Sequence, residues 1–159
     1  MKQSPKLSKI QDKMRVGELT SEGYLGKDDR SLTDIISDDY KTVKSLGISH
    51  NEIARKMQLL TDAGKLTPEY PVVLFNRYRI QVNEYMGFMP CPFSDGIRID
   101  KRNTMVTDEM TEKSMYWTDM NIHLIEAHGF YEGVGARYRI EPIDIVEFLK
   151  AIPNDAVKN

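Results

Sequence analysis

The chain has one cysteine, one tryptophan and three histidines in 159 residues. A lone cysteine, Cys91, excludes an internal disulfide framework and fits a reducing compartment. No apolar run approaches the roughly 20 residues of a membrane-spanning helix. The N-terminus lacks the apolar stretch of a secretory signal. These absences predict a cytoplasmic address without a membrane. An excess of one charge sign is also missing: the net charge is −2, which argues against a dedicated nucleic-acid binder.

What is present is globular composition, with 40% apolar and 29% charged residues. A chain of this length buries roughly two thirds of its unfolded surface, enough for one core. The charge is uneven, since Lys2, Lys6, Lys9, Lys13 and Arg15 face only Asp12 within the first fifteen residues. Residues 1–30 therefore read as a basic flexible tail and lead-in, with a short helix after Ser4-Pro5. A basic tail of this kind can meet an acidic partner. The rest, 31–152, reads as a single domain.

Ser31-Leu32-Thr33-Asp34 and Ser49-His50-Asn51-Glu52 are capping-box patterns. Each precedes apolar residues at helical spacing, and each helix ends at a glycine, Gly47 or Gly64. Residues 32–64 thus read as a helical hairpin. Residues 70–140 read as a strand-rich part holding one helix. Tyr78, Ile80 and Val82 alternate with polar residues, 103–117 reads as a hairpin, and Arg-Tyr-Arg-Ile recurs at 77–80 and 137–140, both predicted as strands with their arginines toward solvent. Pro90 and Pro92 argue against a central strand over the whole of 85–93. Thr118 caps a helix ending at Gly129, and Pro142 opens a terminal helix over 142–152. The expected fold is α+β, an N-terminal helical hairpin packed on a small, mainly antiparallel sheet, with two further C-terminal helices.

Cys91, His123 and His128 are candidate metal ligands, because thiolate and imidazole are preferred by zinc. Three such ligands plus water make a catalytic centre. Glu126, nearly one turn after His123, is a candidate general base. Five residues separate the histidines, about 140° around a helix, so both can serve one metal only if the helix ends at His128, which Gly129 allows. Cys91 and His123 are expected near each other at one sheet edge, with His128 at the helix end close by. Cys91 with His123 or His128 is also a nucleophile–base candidate. Gly133, Gly135 and Arg137 form a candidate anion-binding loop. The helical hairpin resembles a helix-turn-helix, but over 31–63 four cations face five carboxylates, and Lys56 falls at an expected core position.

Pro90-Cys91-Pro92-Phe93, Trp117-Thr118-Asp119, Ile122-His123 and His128-Gly129-Phe130-Tyr131-Glu132-Gly133 resemble segments of a group of small bacterial cytoplasmic proteins of unassigned function. The resemblance spans roughly residues 30–150. It implies a bacterial, cytoplasmic setting and singles out Cys91, His123, His128 and Glu132. Three function classes follow from the sequence. The first is a small domain that binds a ligand or a protein partner. The second is a zinc-dependent or cysteine-dependent enzyme built on Cys91, His123 and His128. The third is a DNA-binding regulator through 32–63.

Overall fold

The computed structural model describes residues 2–157. Its elements in chain order are α1 (Pro5–Lys13), α2 (Leu32–Ser45), α3 (His50–Lys65), β1 (Val72–Leu74), β2 (Tyr78–Pro90), β3 (Arg98–Asp108), β4 (Lys113–Thr118), α4 (Asp119–His128) and α5 (Pro142–Leu149), with a final 3-10 turn at Asn154–Val157. The class is α+β, with one antiparallel sheet in the order β1-β2-β3-β4. No helix of the described residues is long and apolar enough to cross a membrane.

The helix starts follow the caps. Ser4, Ser31 and Ser49 each accept a backbone N–H from the first turn of α1, α2 and α3, and Thr118 with Asn121 makes a reciprocal capping box on α4. In the lead-in, α1 is amphipathic, and Ile10, Met14, Tyr24 and Leu25 are buried. A link at 46–49 joins α2 to α3, but their partners differ. Helix α2 packs against α1 and α5, whereas α3 lies along α4 and over the sheet.

Strand alternation puts Tyr78, Ile80 and Val82 of β2, Val106 of β3 and Trp117 of β4 on one buried face beneath α3, α4 and α5. Within this core Trp117 Nε1 donates to Thr61 Oγ1 at 2.9 Å, and Thr61 and Thr104 share a 2.7 Å hydroxyl contact. A second apolar cluster joins Ile10, Met14, Tyr24 and Leu32 to Cys91, Phe93, Met120 and Phe130. It ties the lead-in to the loop after β2 and to α4.

One expectation is met and one is corrected. The run 85–93 is not a central strand, and β2 reaches only as far as Pro90. Beyond residue 80 it pairs only with β3. Cys91 N–H donates to Ile97 O across that pair, so in the alternating antiparallel pattern the Pro90 nitrogen faces the open edge and no ladder bond is lost.

Residues 137–140 form no strand. Ala136 N–H donates to Gly133 O and Arg139 N–H to Ala136 O, which makes tight turns. The Arg139 guanidinium is buried rather than solvated and grips Asp39 at 2.9 and 3.0 Å. Tyr78 and Ile80 are buried as expected, and so is Ile140, from a turn.

Candidate functional site

The connection between β2 and β3 is closed by the Cys91 N–H to Ile97 O bond and by a Ser94 N–H to Cys91 O turn. Inside it the Asp95 side chain makes an Asx turn, its Oδ1 accepting Ile97 N–H at 2.9 Å. The Asp95 carboxylate is thereby held by one oxygen, and Oδ2 is turned toward α4. That helix follows β4 without a linker, so its start is fixed at the sheet end. It stops at Gly129, whose φ of 59° is left-handed. Gly129 N–H donates to Ile125 O, the 5→1 bond of the αL motif, and Phe130 N–H donates to Leu124 O. Phe130 is buried by this ending.

These two elements bring four donors together. His123 Nε2 lies 2.9 Å and His128 Nε2 2.8 Å from Asp95 Oδ2. Cys91 Sγ lies 3.6 Å from His128 Nε2. One donor atom from each of Cys91, Asp95, His123 and His128 falls within 4.8 Å of the other three. Cys91, His123 and His128 thus lie together as expected, and the helix end at Gly129 is what lets His128 join despite the five-residue spacing. His128 is the last residue of α4, and both imidazoles are long enough to swing toward the same loop. Their ring centroids are 5.4 Å apart and nearly perpendicular. Phe93 fixes the His128 ring by stacking on it at 4.0 Å, and Phe93 itself packs edge-on against Phe130.

Cys91 is 5% exposed, while the side chains of His123, His128 and Asp95 are 17%, 19% and 22% exposed. The cluster thus has a buried thiol end and a solvent-facing end. Burial, with help from the Asp95 carboxylate and against the Phe93 N–H, pushes the Cys91 thiol up to about 12. Burial works against ionised Asp95, but Ile97 N–H, the two imidazoles and the thiol prevail and hold its carboxyl well below the usual range.

The remaining sequence candidates lie elsewhere. Glu126 is exposed and borders a groove with Tyr40 and His50, outside the four-donor group. His50 is bonded to the Tyr131 hydroxyl at 2.8 Å. Asp119 pairs with Arg102. In the glycine loop, Gly133 N–H donates to Tyr24 O and Val134 N–H to Asp28 Oδ2. A Cβ on Gly133 would stand 2.3 Å from Leu25 O, so glycine there permits close chain approach. Arg137 pairs with Glu22 at 3.0 Å. Gly133 and Arg137 thus meet the chain's own Tyr24 carbonyl and Glu22 carboxylate, and Gly135 lies against Lys27.

Asp95 is the donor that sequence reasoning passed over. Its signal was the Cys-x3-Asp spacing inside a proline- and glycine-punctuated turn. Comparison with known proteins finds no matching family model, no matching curated protein and no matching solved structure.

Proposed function

We propose that the protein binds a zinc ion through Cys91, Asp95, His123 and His128. The observation that carries this reading is the convergence of four donor atoms within 4.8 Å. A tetrahedral zinc with bonds of about 2.3 Å to sulfur and about 2.1 Å to nitrogen needs sulfur–nitrogen edges of about 3.6 Å. The Cys91–His128 separation is 3.6 Å. The Asp95–histidine contacts are hydrogen-bond length and open by about half an ångström when a metal replaces the shared protons. Two ligands come from one tight loop and two from one helix, and Phe93 orients the His128 ring in the way outer-shell groups orient ligands.

Four protein donors fill a tetrahedron, so the site suits a structural zinc that clamps the 91–97 loop to α4. A catalytic reading is supported by the exposure of Asp95, the ligand whose departure would admit water. A nucleophilic Cys91 has less support, because burial holds the thiol protonated at neutral pH. DNA binding through α2 and α3 has less support as well, since Lys56, one of the few cations there, is 4% exposed.

The test is metal analysis after zinc loading and dialysis, with cobalt substitution to report sulfur ligation. The expected result is one zinc per chain, an intense sulfur-to-cobalt charge-transfer band, and loss of both in Cys91→Ser and His123→Ala. Wild-type protein that retains under a tenth of an equivalent refutes the reading. So does a Cys91→Ser variant that keeps full zinc and the same cobalt spectrum.

A further inference from the structure

Apart from the metal cluster, the structure holds a cavity of about 210 Å³ between the outer part of β2, the start of β3 and the loop after α4. Its walls include Tyr85, Met89, Ile99 and Met120, and its polar lining includes Tyr24 and Glu132 as well as the 100–103 segment. A 150 Å³ apolar cavity already admits benzene, so a monocyclic molecule fits here. Glu132 is 2% and Tyr24 4% exposed. Each leaves an oxygen without a hydrogen-bond partner, Glu132 Oε1 and the Tyr24 hydroxyl. Buried polar atoms are rarely left so, because an unmet donor or acceptor forfeits its hydration without replacement.

The hydrogen bonding around Glu132 decides what the pair can do. Asn121 Nδ2 donates to Glu132 Oε2 at 3.0 Å. Oε2 is thereby the accepting oxygen, and a carboxyl proton belongs on Oε1, the free atom. We propose that this cavity binds a small uncharged carbonyl compound, a ketone or an amide, whose oxygen accepts hydrogen bonds from the Tyr24 hydroxyl and the Glu132 carboxyl. Two donors directed at one apolar space match a single acceptor oxygen on an otherwise apolar body.

The charge environment agrees. Burial pushes Glu132 up to about 8, against the bond from Asn121 and the charge of Arg139, so near neutral pH it is mainly a donor. Burial likewise raises Tyr24, with the Glu132 and Cys91 charges adding to it. Arg139 spends its own charge on Asp39 and Glu141, and Lys101 stands at the cavity mouth. A cationic ligand would have to ionise Glu132 against its burial and pass Lys101. An anionic ligand would place its charge beside the buried carboxyl, and Arg102, which also lines the cavity, is already paired with Asp119 and Glu84.

The test measures binding of benzamide, benzylamine and benzoate to the full chain at pH 7 by calorimetry and by NMR shift mapping. Benzamide should bind saturably, about tenfold or more tighter than the two charged probes, with shifts centred on Tyr24, Met89 and Met120. Tyr24→Phe should weaken benzamide about tenfold. Glu132→Gln, which keeps an N–H donor at that place, should hold its affinity within about threefold, whereas Glu132→Leu should lose it. The proposal is overturned if benzylamine or benzoate binds as tightly, if benzamide does not saturate, or if Tyr24→Phe changes nothing. Should a Glu132 variant fail to fold, the ranking of the three probes on wild-type protein decides alone.

Discussion

Replacing Glu132 by Gln should flatten part of the pH dependence of stability. The carboxyl is pushed from 4.5 to about 8 in the folded state by burial, against the hydrogen bond from Asn121 and the charge of Arg139. Below pH 4.5 the group is protonated whether the chain is folded or not, and it adds no pH dependence. Between 4.5 and 8 the unfolded chain releases the proton and the folded one keeps it, so stability falls as pH rises. Above 8 both states are ionised and the loss is complete. At 1.36 kcal/mol per pKa unit, this rise corresponds to about 4–5 kcal/mol. Glutamine keeps the shape and the Asn121 contact and does not titrate. Urea unfolding of both proteins at half-unit steps from pH 4.5 to 8.5 isolates the effect, because every other group cancels in the difference. The variant should gain on wild type by about 3–5 kcal/mol across the window and then level off. A difference constant within about 0.5 kcal/mol would mean that Glu132 is ionised in the folded protein, and the cavity would lose one of its donors.

Zinc at a hundredfold excess over its dissociation constant should stabilise wild type by about 2.7 kcal/mol. For a domain of this size that is about 5–11 °C in Tm, read by differential scanning calorimetry, and Cys91→Ser should abolish it. Ile80, fully buried under α3, should cost about 2–5 kcal/mol when changed to Ala. A loss below about 0.5 kcal/mol on denaturation would contradict its place on the inner face. Asp39→Asn leaves the buried Arg139 guanidinium with only the exposed Glu141 carboxylate. It should lower stability by about 2–3 kcal/mol, and Arg139→Met together with it should restore part of the loss in a double-mutant cycle.

The sequence carried the helix boundaries well, because serine and threonine caps and terminal glycines act over three or four residues. Thr118 and Gly129 alone place α4, and the Tyr78, Ile80, Val82 alternation places the inner face of β2. What depended on distant partners was illegible. In the first Arg-Tyr-Arg-Ile copy Arg77 ends a turn and Tyr78 to Ile80 are strand, where β3 pairs with them. The second copy is a turn at 137–140, where Asp39, about a hundred residues away, captures Arg139. The candidate site was legible in part. Cysteine and histidine are rare here, so Cys91, His123 and His128 stood out. Asp95 is one acidic residue among 24, and only the folded loop distinguishes it. The helix projection alone would separate the histidines, and Gly129, legible in the sequence, ends the helix where His128 can join His123.

The outer half of the β2–β3 pair has no neighbouring strand on its open side, and its register slips between Glu84 and Phe88. It is therefore an arm anchored at two places, the sheet at its base and α4 at its tip. The tip anchor consists of the Asp95–imidazole contacts and the Phe93 stack, all of which a bound ion would reinforce. Joining Asp95 to His123 closes a ring of about 30 residues, which in a covalent link would restrict the open chain by about 3–4 kcal/mol. The amides of Cys91 and Ile97 sit at the closure of that tip, one bonded to a carbonyl and one to Asp95 itself. Their hydrogen-exchange rates consequently report how often the arm lifts from the helix, and zinc should slow these two amides while leaving those of the inner sheet unchanged.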